Sequence, residues 1–135
     1  MRPLQSLHYA IGELAYAIAN IDGQVQKEER MKLHNIVAAE LRCKDYNFDV
    51  SEIIFQILDK DKQDSETTYN WALKVIKLNS QYLSPELKKT FISVMEKVAK
   101  AYPPVTASEQ ALISRFKKDI ADIHGDPVFY KKVLR

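Results

Sequence analysis

The chain has 135 residues, 46% hydrophobic and 28% charged, a composition typical of a globular domain rather than a disordered segment. Its formal net charge of +2 is too small to indicate a nucleic-acid surface, which needs a dense basic stripe. Three glycines are few for a β-architecture, so the composition favours helices.

One cysteine, Cys43, excludes an internal disulfide and a cysteine-based zinc site. A lone thiol fits the reducing cytoplasm, which is the predicted location. The N-terminal apolar stretch has helical spacing and is interrupted by Glu13, which argues against a cleaved signal peptide. No run approaches the roughly 20 apolar residues that span a bilayer, so membrane insertion is not expected.

The first predicted helix follows Pro3 and is apolar on much of its circumference. Large apolar residues recur at spacings of three and four, and alanines widen the stripe between them. A helix that is apolar nearly all round is typical of the centre of a bundle. It is predicted to end at Asp22 and Gly23, because glycine adopts positive φ readily. The stripe consists of Leu4, Leu7, Ile11, Leu14 and Ile18.

Two predicted helices and a charged loop come next. The second helix starts near Gln26 or Lys27 and ends near Lys44, and the third runs from Val50 or Ser51 to Lys60. Residues 59–64 alternate aspartates with lysines and contain no glycine, which favours a solvated loop over a metal site. A fourth helix, capped by Asp64 or the serine after it, is predicted to reach about residue 81.

The last three predicted helices have clear start signals. Ser84 with Pro85 opens the fifth helix, and Thr106 with Glu109 forms a capping box for the sixth, which is predicted to reach about residue 123. Asp126 and the following proline open a short seventh helix. With no strand signal, the sequence predicts an all-α bundle of about seven helices in a single domain over residues 1–135.

The chain also contains an internal repeat. Shifting it by 80 positions superimposes two helical hairpins, about 4–42 and 85–123, and keeps every buried-stripe position apolar. The period is too long and the copies too few for a solenoid, so two similar hairpins in one bundle are predicted. Aligned pairs include Leu7 with Leu87, Ile11 with Phe91, Val25 with Val105 and Glu29 with Glu109.

The first hairpin carries the pattern A-x-x-D-G-x-V-x-x-x-E over residues 19–29. This pattern resembles the TerB family of tellurite-resistance-associated proteins and the related N-terminal domain of the membrane-anchored co-chaperone DjlA. The resemblance implies an all-helical cytoplasmic domain, metal binding at acidic turns, and a role in stress response or protein contacts, but no defined enzyme. The second hairpin has Tyr102 and Pro103 in place of the acidic turn, which argues against a function that needs two such turns.

The same stretch matches the second half of an EF-hand calcium loop. Asn20, Asp22 and Glu29 take the third, fifth and twelfth positions, with Gly23 at the sixth. Ile18 at the first position cannot ligate, so a full calcium site is not expected. Asn20, Asp22 and Glu29 are therefore candidate ligands of a weakly bound divalent cation. The alternative is a purely structural turn, in which Glu29 caps the second helix.

Other chemistry finds little support in the sequence. His8, His34 and His124 are far apart and form no zinc or di-iron motif, and no glycine-rich phosphate loop is present. Tyr69 and Trp71 lie two positions apart on the fourth predicted helix, so they cannot face the same way. One of them is a candidate partner anchor.

Three hypotheses follow. The first is a non-enzymatic TerB-like domain that acts through protein contacts, with weak divalent-cation binding at the Asp22 turn. The second is a calcium or magnesium sensor in which Asn20, Asp22 and Glu29 ligate the ion and the hairpin moves. The third, with the least support, is an enzyme that acts on a small hydrophobic substrate inside the bundle. A protein partner is expected, and nucleic acid is not.

Overall fold

The computed structural model describes residues 3–21, 35, 63–101 and 105–133. Within these ranges the chain is helical and has no strand, which confirms the all-α prediction for this part of the protein. Apart from residue 35, the predicted second and third helices lie outside the described residues, so the total of seven helices, the first hairpin and the single domain stay predictions. The elements are α1 (Pro3–Ala19), α2 (Ser65–Leu78), a 3-10 turn (Ser80–Tyr82), α3 (Pro85–Ala101), α4 (Ala107–Ile120) and α5 (Pro127–Val133).

Helix α1 lies at the centre of the described structure. Every residue from position 10 to position 18 is buried, including four alanines or glycines that let neighbouring elements approach closely. The helix packs against both α2 and α3. Leu7, Ile11, Leu14 and Ile18 are each at most 1% exposed, as the spacing of the stripe predicts.

The predicted start signals act as caps. Asp64 accepts the N–H of the third residue after it through Oδ2 at 3.0 Å, and Ser84 Oγ does the same for α3 at 3.1 Å. At α4 the capping box is complete, because Thr106 Oγ1 accepts the Glu109 N–H at 3.1 Å while Glu109 Oε1 accepts the Thr106 N–H at 2.9 Å. The sequence thus encodes locally where α2, α3 and α4 begin.

Two helices end earlier in the chain than the sequence predicted. Helix α2 ends at Leu78, three residues before the expected position, because the chain tightens into the 3-10 turn Ser80–Tyr82. Asn79 caps α2 by donating its backbone N–H to the carbonyl of Val75 at 3.1 Å. Helix α4 ends at Ile120 rather than near residue 123.

An aromatic cluster joins α2, α3 and α4. Phe116 of α4 is fully buried, and its ring centroid lies 6.3 Å from that of Tyr69 and 6.0 Å from that of Phe91. The first pair is edge-to-face and the second is tilted, and ring contacts of this kind are favourable beyond the area they bury. The cluster holds the hairpin formed by α3 and α4 against α2.

The last helix docks on the 3-10 turn. The Asp126 N–H donates to the Gln81 carbonyl at 2.9 Å, and the rings of Tyr82 and Phe129 meet at 5.5 Å. Gly125 packs so tightly that a Cβ there would overlap the backbone carbonyl of Leu83. In the described part of the chain, no helix has the length and apolarity needed to cross a membrane.

Candidate functional site

The end of α1 is held against the residue that precedes α2. Asn20 continues the helix through its N–H, which donates to the Tyr16 carbonyl at 2.9 Å. Its side-chain Nδ2 donates to the backbone carbonyl of Gln63 at 3.1 Å, and the hydroxyl of Tyr16 donates to the same oxygen at 3.0 Å. Tyr16 of α1 and Asn20, which follows α1, therefore donate to one backbone carbonyl just before α2.

Of the three predicted cation ligands, only Asn20 lies among the described residues; Asp22 and Glu29 lie outside them. Because Nδ2 of Asn20 is committed to Gln63, Oδ1 is the side-chain atom that remains for a cation. Asp64, next to Gln63, serves as a cap, and hydrogen bonds from Thr67 lower the pKa of its carboxyl. The described residues contain no group of three His, Cys, Asp or Glu that could hold a metal.

Helix α1 also buries two ionisable side chains, His8 at 3% and Glu13 at 4% exposure. No hydrogen bond from the described residues reaches Oε1 of Glu13. Burial raises the pKa of Glu13 to about 7 and lowers the pKa of His8 to about 4. Burial and the charge of Glu13, one helical turn away, raise the pKa of Tyr9. Near neutral pH, α1 thus carries a neutral imidazole and a partly protonated carboxyl.

Two large apolar side chains are exposed on the side of α2 that lies opposite its buried residues. Trp71 is 53% exposed and Leu78 is 74% exposed, whereas Tyr69 is fully buried. The prediction that Tyr69 and Trp71 face different ways is confirmed. Lys74 extends over the Trp71 ring, with Nζ 5.2 Å from the ring centroid. We call Trp71, Lys74, Lys77 and Leu78 the Trp71 face.

The sequence model of one family, described as Tellurite resistance protein TerB, matches residues 8–121. The chain belongs to the TerB family. The match spans most of the chain, which confirms the resemblance expected from the turn pattern around Asp22. Comparison with curated proteins and with solved structures gave no match.

In this TerB-family chain, a network of charged side chains at the edge of the buried face of α2 connects α2 to α4. Arg115 stacks over the ring of Tyr69 at 4.4 Å and pairs with Glu66 through an N–O distance of 2.7 Å. The hydroxyl of Tyr69 donates to Asp119, and burial together with that bond raises the pKa of Tyr69. Glu66 is thereby paired with α4, although its side chain is 59% exposed.

Sequence reasoning missed Glu13 and His8 as perturbed groups. It treated Glu13 only as an interruption of an apolar run and considered His8 only in arguing against a zinc or di-iron motif. The sequence did indicate that both side chains are buried, because a helix predicted to lie at the centre of a bundle must bury the polar residues it contains.

Proposed function

We propose that this TerB-family chain is a non-enzymatic domain that acts through protein contacts in a stress response. The exposure of Trp71 and Leu78 carries the proposal. Tryptophan is enriched at the energetic centres of protein interfaces, and two large apolar side chains two turns apart on one helix form a contact surface. The family itself supports a helical domain of the tellurite-resistance type.

The perturbed ionisable groups support a structural rather than a catalytic role. Glu13 and His8 are at most 4% exposed, so a substrate would have to displace packed side chains to reach them. The groove between α3 and α4 has a volume of about 320 Å³ and is lined in part by Lys100 and Lys117. No histidine or cysteine is among its described lining residues, so it offers no nucleophile paired with an imidazole base.

A photo-crosslinking amino acid at position 71, expressed in the native host, tests protein contact. We expect a discrete adduct with another protein at position 71 and none at the exposed position Ala111 on α4, the matched control. The double variant Trp71→Ser, Leu78→Ser should fail to restore tellurite or oxidant tolerance to a strain that lacks the protein. Identical adducts at positions 71 and 111, or full restoration by the double variant, would contradict the proposal.

A second candidate function is weak divalent-cation binding at the Asp22 turn. The observation that favours it is the orientation of Asn20, whose amide nitrogen donates to the Gln63 carbonyl, so that a cation would meet the oxygen Oδ1. A site that also moves the hairpin on binding would make the protein a sensor.

Calorimetric titration with calcium and magnesium tests this site. We expect weak, saturable heat that Asp22→Ala abolishes and that Asp122→Ala, an exposed carboxylate at the end of α4, leaves unchanged. A sensor additionally requires slower amide hydrogen exchange at Asn20 when the cation is present. No heat at about millimolar cation, the range of weak extracellular-type sites, would remove the candidate.

A further inference from the structure

We infer that the Trp71 face binds an acidic amphipathic helix of another protein rather than a second copy of this chain. The inference rests on the proposed function, because it names the chemistry of the partner that the same face would contact.

The apolar part of the face has the spacing of a helix–helix seam. Trp71 and Leu78 are seven residues apart, which places them about 10 Å apart along one side of α2. Seven residues is also the repeat with which one helix lays apolar side chains along another. An amphipathic partner helix therefore meets both anchors with its own apolar stripe.

The charged part of the face is basic. Lys74 and Lys77 are exposed on α2. The only acid in the sequence of α2 is Glu66, and Arg115 of α4 holds it at 2.7 Å. The face therefore presents two cations beside its apolar anchors and lacks a free carboxylate from its own helix. Charge complementarity assigns acidic residues to the flank of the partner helix.

A second copy fits this face poorly. For Trp71 to pack on Leu78 of the second copy, and the reverse, the two α2 helices must run antiparallel and cross near Lys74. The two-fold axis then brings Lys74 beside the same lysine of the second copy, at the point where water is excluded. Like charges facing each other in a desolvated interface disfavour that pairing.

Trp71 is the only tryptophan in the chain, so its fluorescence reports on this face alone. The probes are two tryptophan-free amphipathic helical peptides with the same leucine stripe, one flanked by glutamates and one by lysines. We expect the acidic peptide to shift Trp71 emission to the blue and to bind at least about tenfold more tightly than the basic one. Raising salt from about 50 mM to about 0.5 M should erase most of that preference, because screening acts on the exposed flank.

Charge reversal provides the matched control. The double variant Lys74→Glu, Lys77→Glu should bind the basic peptide more tightly than the acidic one. Leu78→Ser should weaken the binding of both peptides to the same extent. Circular dichroism on each variant verifies that the helices are intact. Equal binding of the two peptides, or no emission change with either, would overturn the inference.

Sedimentation separates this inference from the proposed function. If the protein dimerises with a blue shift of Trp71 that depends on its own concentration, a second copy occupies the face and the acidic-helix inference is wrong. The crosslink at position 71 would still support protein contact in that case. If the crosslink is absent, the proposed function itself fails, whatever the peptides show.

Discussion

Replacing Glu13 with glutamine is expected to raise the free energy of unfolding at pH 8 by about 2–3 kcal/mol, since one pKa unit corresponds to about 1.4 kcal/mol. The carboxyl has a pKa of about 7 in the folded chain against a usual value of 4.5, because burial disfavours its charged form. A group with a raised folded pKa contributes stability that is present below pH 4.5 and lost as pH rises through 7. Glutamine removes that loss.

Chemical denaturation followed by circular dichroism measures the effect at two pH values. The two proteins should differ little at pH 4, where Glu13 is largely protonated in both folded and unfolded chains. A gain of equal size at pH 4 and pH 8 would show that glutamine acts through packing and not through the charge of Glu13.

In the unmodified protein, His8 should mask the pH dependence of the unfolding free energy that Glu13 causes. Its pKa falls from 6.5 to about 4, so its contribution is complete above pH 6.5 and is lost as pH falls through 4. Between pH 4.5 and 6.5 the unfolded chain carries the proton on His8 and the folded chain carries it on Glu13, so the two slopes cancel. In His8→Gln, the free energy of unfolding should therefore fall as pH rises through this range. In Glu13→Gln it should rise instead, and each slope should be about 1.4 kcal/mol per pH unit.

Truncating Phe116 to alanine is expected to cost about 3–5 kcal/mol of unfolding free energy, the range for large aromatic side chains in a packed core. Phe116 is fully buried, and its ring contacts those of Tyr69 and Phe91, so one residue links α2, α3 and α4. Thermal and denaturant unfolding would measure the loss.

Phe129→Ala is the matched control. Phe129 is 38% exposed, and among the described aromatic rings it contacts only that of Tyr82 in the 3-10 turn. Its removal should cost far less, about 1 kcal/mol, in keeping with a partly exposed satellite contact. A loss at Phe129 equal to that at Phe116 would contradict the placement of the core around the aromatic cluster.

Local signals explain which parts of the fold could be predicted from the sequence. Asp64, Ser84 and Thr106 act on N–H groups within their own first turns, so their caps depend on no distant residue. The ends of α2 and α4 depend on tertiary packing instead. The residues directly after Leu78 are polar but include no glycine or proline that would mark the end of α2. The chain turns at Ser80–Tyr82, where α5 docks, and that contact lies more than 40 residues further along the chain.

The candidate site divides in the same way. Spacing alone shows that Tyr69 and Trp71 face apart, but the partners of the buried Tyr69, which are Arg115 and Asp119, lie about 50 residues away in α4. The bond between Asn20 and Gln63 also spans distant parts of the chain, and a turn pattern contains no information about it. Asp22 and Glu29 lie outside the described residues, so the cation site that includes them stays a prediction.

The shared carbonyl of Gln63 has a consequence for how the two described helices on either side of it are joined. Because Tyr16 and Asn20 both bind it, the chain leaves α1 and returns to α2 at nearly the same point. A carbonyl oxygen has two lone pairs, so both donors bind it at once. The junction between α1 and the start of α2 therefore does not depend on one side chain, because the loss of either Tyr16 or Asn20 leaves the other hydrogen bond in place.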